Sequence, residues 1–312
     1  MATAKGAIIS AHWQPTYWQD CPEPMERNLR AVVDGWKPKT HGAKDAGFAL
    51  QARDVDLLGR LWAHGPMLTD HIHRMFWPDA GRADTVTARL TRLWHLGLLR
   101  RYWPRLGKGM GSAPAVWALA RQGFDLLQLI RPLWWVTRYP SARWDARREA
   151  AGPGTDLAHG LIVADVTTWA VLQQGREWVH ESEPAGTVVA GIEQVGPRTR
   201  ERTFRPDAIL TRDGEPDWYV EVERSVYLPR WRHKLDSWEL WVDAQLNDEA
   251  VIVVVGRLRA TPDQREKSML PLLRATPAPI AARMRVLDLG TWDPADPEVP
   301  WRPVGDVLAK AR

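Results

Sequence analysis

The chain reads as an α/β (α+β) protein of two domains, and three observations carry that expectation. From Leu50 onward, three stretches of helical periodicity are followed by two short strands. Beyond Thr155 the order changes to helix, strands, helix, strand. Charge changes with it: residues 52–150 carry about eight more basic than acidic side chains, and 151–312 about five more acidic than basic. A length of 312 residues also suggests two domains, and a hydrophobic fraction of 45% suffices for their cores.

Residues 1–46 read as a tail, punctuated by Pro15, Pro22, Pro24 and Pro38. A first helix follows over about Asp54–His64, with Val55, Leu58, Leu61 and Trp62 on one face, and Gly65-Pro66 breaks it. Thr69 caps a short second helix containing Ile72 and Phe76. His71 and His73, two apart on that helix, diverge and read as surface residues. Asp84 caps a third helix, DTVTARLTRLWHLG, with Val86, Leu90, Leu93 and Trp94 as its apolar stripe and Gly97 as its stop. The strand LLRRYW, the turn PRLGKGMGSA and the return strand AVWALA complete the unit. Three helices and a hairpin in this order predict a winged helix-turn-helix over 47–130. Thr85, Arg89 and Arg92 recur on the face opposite the stripe, where they would enter a major groove of double-stranded DNA. Arg100, Arg101, Arg105 and Lys108 lie in or beside the wing, within reach of phosphates. The alternative is a solvated face on a helical domain that binds protein. The excess of arginine over lysine suits phosphate recognition, and a GC-rich coding bias would produce it equally.

Residues 131–154, rich in Arg, Trp and Pro, read as a linker, and 155–290 as the second domain. TDLAHGLIVADVTTWAVLQQ is its first helix; REWVHESE and TVVAGIEQV are candidate strands. Glu181 and Glu183 either add carboxylates to a site or decorate a solvent edge. The centre of this half is an acidic hairpin turning at Asp213-Gly214. On its second strand Trp218, Val220 and Val222 face one way, and Tyr219, Glu221 and Glu223 the other. Asp207, just after Pro206, lies on the partner strand. Three carboxylates brought together repel unless a cation or donor sits among them, and hard oxygen ligands favour Mg or Mn. Pro229 opens the next helix, striped by Leu228, Trp231, Leu235, Trp238 and Val242, with Lys234 at the border. AVIVVVG reads as a strand buried on both faces, 262–275 as a helix, MRVLDLG as the last strand and 291–312 as a loosely attached tail.

Pro206-Asp207 with Glu221-x-Glu223 resembles the PD-(D/E)xK nuclease-like core. The predicted winged helix, then RPDAIL, EVERS and an aromatic helix carrying Lys234, resembles the replication-relaxation family of plasmids and mobile elements, over residues 47–289. The resemblance implies a restriction-endonuclease-like αβββαβ core. It implies Asp207 and Glu221 as ligands of Mg or Mn, and Glu223 where the class most often has lysine. Lys234 would then supply the ammonium from the next helix. His159 matches a position where such families carry histidine; its plainer role is a buried, backbone-bonded one. The implied function is DNA replication initiation, relaxation or mobilisation, with metal-dependent nicking by an endonuclease and a relaxase or replication protein as partner. Because Glu223 departs from the pattern, a catalytically inactive scaffold or transcriptional regulator stays open. So does a third expectation, in which the acids merely flank a turn.

Other classes are disfavoured. A single cysteine, Cys21, excludes an internal disulfide and a cysteine-built zinc site, and fits a cytoplasmic setting. No apolar run reaches the roughly 18 residues of a membrane span, no signal-peptide pattern opens the chain, and no GxxxxGK[ST] loop is present. Winged helices often bind as homodimers, but no heptad pattern specifies one here.

Overall fold

The computed structural model describes residues 50–78, 80, 83–102, 115–130, 157–180, 188–195, 198–224, 227–243, 250–259, 267–294 and 296–311. These form a mixed α/β protein with nine helices and three sheets among the described residues. The chain divides into two compact units, Met1–Thr168 and Trp169–Arg312. The expected tail at 1–46, linker at 131–154, Arg105, Lys108, Glu181 and Glu183 lie outside the described residues.

The first unit holds α1 (Ala52–His64), β1 (Met67–Leu68), α2 (Thr69–Phe76), α3 (Ala83–His95), β2 (Leu99–Tyr102), β3 (Val116–Leu119) and α4 (Arg121–Ile130). β1 and β2 each pair antiparallel with β3 in a three-stranded sheet. The apolar stripe of α3 is inward as its periodicity requires, with Val86, Leu90 and Leu93 fully buried. Trp94 departs from it and is 38% exposed. Leu93 and Leu96 take the inward positions of the last turn, leaving the indole beside the His95 ring.

The surface expectation for His71 is corrected: it is 2% exposed. The Leu68 N–H donates to its Nδ1 (3.3 Å), so Nε2 carries the proton and donates to Asp165 Oδ1 at 2.6 Å. A short helix packed on more than one side has little room for an outward face. His73 is instead half-buried, with Nε2 2.9 Å from the Ala80 carbonyl. Asp165 lies on α5 (Leu157–Gln174), whose later turns belong to the second unit.

The second unit is built on a six-stranded sheet ordered β11-β10-β9-β8-β7-β4. Its strands are β4 (Glu177–His180), β7 (Ala208–Thr211), β8 (Trp218–Glu223), β9 (Val251–Gly256), β10 (Met284–Asp288) and β11 (Arg302–Pro303). β8, β9 and β10 run parallel, and the flanking pairs are antiparallel. One face is covered by α6 (Leu228–Asp243), α7 (Leu270–Arg274), α8 (Ala278–Arg283) and α9 (Val304–Lys310), which share a core of Trp231, Leu235, Trp238, Ile252, Val254 and Val286. A separate hairpin, β5 (Val188–Val195) with β6 (Arg198–Phe204), packs against α6. On the opposite face Trp169 stacks on Trp218 at 6.3 Å and meets Trp301 edge-on at 5.4 Å.

Two expectations are corrected here. The segment after Gly290 is not a loose tail: β11 extends the sheet, and Val304 and Val307 of α9 are 2% exposed. Helix within 262–275 is limited, among the described residues, to α7.

Candidate functional site

The acidic hairpin turns where expected. β7 and β8 pair in the register Ala208↔Val220 and Ile209↔Tyr219, and Gly214 adopts φ +73°, a left-handed conformation that glycine takes without strain. Strand alternation then decides which side chains meet α6. Tyr219 joins the α6 core through Trp241, 5.4 Å between ring centroids. Glu221 and Glu223, at the same parity, face that helix with only 3% and 7% exposure.

α6 answers them with a cation. Three residues after buried Trp231, Lys234 sits at the edge of the apolar stripe. Its Nζ donates to Glu221 Oε2 at 2.6 Å and to Glu223 Oε1 at 2.5 Å. Asp207 closes the group from the bend before β7: its Oδ2 accepts the Val222 N–H at 2.7 Å, which fixes the carboxylate beside Glu221. The three acids and Lys234 are thus drawn together at the carboxyl end of β8.

The electrostatics follow from burial. Desolvation pushes Glu221 up to about 8, Lys234 acts against that shift, and the Asp207 and Glu223 charges reinforce it. Burial works against the Lys234 ammonium, but Glu221, Glu223 and Asp207 hold its pKa above the ordinary lysine value. The ammonium therefore stays charged throughout the physiological range.

β9 makes room for this group. Glu223 pairs with Gly256 in parallel register, and a Cβ on Gly256 would stand 2.6 Å from the Glu223 carbonyl oxygen. Sequence reasoning missed this position. Its one signal was a glycine closing a run of valines.

Among the described residues, no group of three or more His, Cys, Asp or Glu side chains is arranged to hold a metal ion. A two-carboxylate site remains chemically suitable. Carboxylate oxygens are hard donors, and magnesium is commonly held by one or two carboxylates with water completing its shell. Lys234 engages Glu223 and one oxygen of Glu221, and Asp207 accepts the Val222 N–H. His159 is not among the four; it lies half-buried on α5 in the first unit.

In the first unit, Thr85 and Arg92 are exposed on α3, while Arg100 and Arg101 are half-buried on β2. Arg101 stacks its guanidinium 5.1 Å from the Trp117 ring centre. Arg89 is directed inward. Its Nε donates to Asp54 Oδ1 at 2.9 Å and its second nitrogen to Oδ2, and Asp54 is fully buried. Asp54 also accepts the Gln51 N–H at 2.7 Å, so one carboxylate caps α1 and ties α3 to it. Periodicity alone cannot reveal this pair, because it joins the polar edge of one helix to the first turn of another.

The family model described as replication-relaxation matches residues 58–255, which include α2, α3, the acidic hairpin, α6 and nearly all of β9. No curated protein matches, and no solved structure matches. No described helix is long and apolar enough to cross a membrane.

Proposed function

Because the chain belongs to the replication-relaxation family, we propose that it binds double-stranded DNA of a plasmid or mobile element and acts in replication initiation, relaxation or mobilisation by metal-dependent nicking. One observation carries the catalytic part: Asp207, Glu221, Glu223 and Lys234 converge at one strand end, Lys234 bonded to both glutamates at 2.5–2.6 Å and Asp207 held on the Val222 N–H between them at 2.7 Å. With the hairpin β5–β6 set aside as an insertion outside the central sheet, the order α5-β4-β7-β8-α6-β9 supports a restriction-endonuclease-like αβββαβ core. The order α1-β1-α2-α3-β2-β3 supports a winged helix-turn-helix, with Thr85 and Arg92 at the groove and Arg100 and Arg101 on the wing strand β2. In this scheme Arg89 positions α3 through Asp54 and does not itself read DNA.

In the nicking reaction Asp207 and Glu221 would hold Mg or Mn. Such an ion would polarise the phosphodiester and lower the pKa of a bound water. To hold the ion Glu221 would have to be ionised, and burial otherwise favours its protonated form up to a pH of about 8. Lys234 supplies the ammonium that the motif lacks at Glu223, orienting both glutamates and offering positive charge to the phosphate.

The test is a supercoiled plasmid incubated with the protein and magnesium, manganese or chelator, beside Asp207→Ala and Glu221→Gln. Metal-dependent nicking lost in both variants is the expected result. Plasmid shifted on a gel but left intact would reject nicking. It would favour the second reading, a scaffold or regulator acting with a relaxase or replication protein, which the engagement of both glutamates by Lys234 also suits.

A further inference from the structure

The sheet-facing stripe of α6 runs on past the core. Trp231 and Trp238 are buried, but Tyr227, one turn before Trp231, is 61% exposed, more than any other large apolar side chain among the described residues. The Tyr227 carbonyl accepts the Trp231 N–H at 3.1 Å, the first bond of the helix, which makes Tyr227 its N-cap. Helices favour Ser, Thr, Asp or Asn at that position, because their side chains bond the free N–H groups of the first turn. A tyrosine forgoes that stabilisation and, left in water, gains little burial in return. Such a breach of a local rule, with no structural gain, points to function.

Chain geometry keeps the ring close to the acids. Tyr227 is four residues beyond Glu223, the end of β8, which allows at most about 14 Å between their backbones. It precedes Lys234 by seven residues, about 10 Å along the helix axis. Positions 227, 231, 234 and 238 share one side of a 3.6-residue helix, and the Lys234 bonds show that this side meets Glu221 and Glu223. Tyr227 is the member of that side at the open end, past the last residue of β8. Ligands of open α/β sheets dock there, outside the carboxyl ends of parallel strands. Arg230, one turn on from Tyr227, is also exposed.

We propose that Tyr227 is a stacking platform for an unpaired base of the DNA strand that enters the Asp207–Glu221 site. This rests on the DNA reading above and adds the state of the substrate, single-stranded or locally opened DNA. A base within a duplex is covered by its neighbours on both faces and cannot meet the ring. An unpaired base can, and every base has a π-face, so the contact selects for an open strand and not for a sequence. An aromatic ring beside a cationic side chain is the usual composition of a single-strand groove, and Tyr227 with Arg230 supplies both.

The experiment titrates the full chain, in chelator, into a short fluorescent single strand and into the same sequence as a duplex, and reads anisotropy. Wild type is compared with Tyr227→Ala and Tyr227→Phe. Tyr227 is exposed, so the circular dichroism of both variants should match wild type. Loss of one stacked base should lower the affinity for the single strand relative to the duplex by about 5- to 150-fold in Tyr227→Ala. Tyr227→Phe, which keeps the ring, should restore it. A 2-aminopurine in the single strand should be quenched by wild type and by Tyr227→Phe, but not by Tyr227→Ala. Duplex binding with an unchanged single-strand-to-duplex ratio in Tyr227→Ala would overturn the platform while sparing the DNA reading. So would a Tyr227→Phe as defective as Tyr227→Ala, since the hydroxyl would then be the group that matters. A wild-type chain that binds neither form would overturn both.

Discussion

Replacing Lys234 with methionine tests the electrostatic logic of the site. The thioether keeps most of the side-chain volume and removes the ammonium. Glu221 and Glu223, 3% and 7% exposed, would lose the cation 2.5–2.6 Å away. Breaking a buried pair from one side typically costs about 3–5 kcal/mol, because the remaining charge stays in a poor solvent. The sign with pH follows from Glu221. Its folded pKa, about 8, stands above the unfolded 4.5, so protonated Glu221 suits the fold below 4.5 and stability falls as pH rises through 8. Lys234, also held above its ordinary value, gives its full contribution below about 10.5 and loses it only in stronger base. The deficit of Lys234→Met should therefore be ~3–5 kcal/mol at pH 9.5, where wild-type Glu221 is ionised beside Lys234, and shrink to ~1–2 kcal/mol at pH 5, where Glu221 is neutral with or without the lysine. Urea unfolding followed by tryptophan fluorescence at both pH values measures it. A loss equal at pH 5 and pH 9.5 would mean that lysine acts by packing its methylenes, and the electrostatic account would fail. Adding Glu221→Gln to Lys234→Met should recover part of the loss at pH 9.5.

Two further outcomes are expected. Gly256→Ala places a methyl 2.6 Å from the Glu223 carbonyl and 2.9 Å from Met269 Sδ. It should cost ~1–3 kcal/mol in urea unfolding, and any nicking should fall further than this loss explains, because Glu223 is pushed off Lys234. Truncation after Gly290 removes β11, α9, Trp292 and Trp301 and uncovers Trp169 and Val286. The sharp thermal transition of the full chain should become broad or vanish; an unchanged melt would restore the segment to the status of a tail.

What was legible in the sequence was whatever a single period controls. A 3.6-residue repeat fixed the inward face of α3 through Leu93, and strand alternation separated Trp218, Val220 and Val222 from Tyr219, Glu221 and Glu223. What was not legible depends on partners distant in sequence. β6, RTRERTF, has no apolar alternation because, among the described residues, it pairs with β5 alone in a two-stranded sheet, not in the central one. The chain after Gly290 looked loose because its tryptophans lack a local period; Trp301 is held by Trp169 and Trp218, far earlier in the chain. His71 is buried by an Asp165 bond spanning 94 positions.

The site illustrates the same division. Read along the chain, Glu223 is a defect, an acid where the resembled motif most often has lysine. Read in space, the defect has a partner: α6 starts five residues after β8 ends and returns Lys234 to the strand, where one ammonium bridges both glutamates. Linear motifs encode which residue carries a charge, whereas the chemistry needs only where the charge stands. A lysine on a helix edge can replace a lysine on the strand provided packing fixes the helix, and Trp231, Leu235 and Trp238, all buried, do so on either side of Lys234. The aromatic stripe of α6 and the acidic strand are therefore one packing and electrostatic unit. Trp231→Ala or Trp238→Ala should consequently displace the ammonium as well as cost the ~3–5 kcal/mol of a truncated core tryptophan. The two effects separate in the pH dependence: a variant that also loses the Lys234 contact should show a larger deficit relative to wild type at pH 9.5 than at pH 5, as Lys234→Met should, whereas a purely packing loss should not vary with pH.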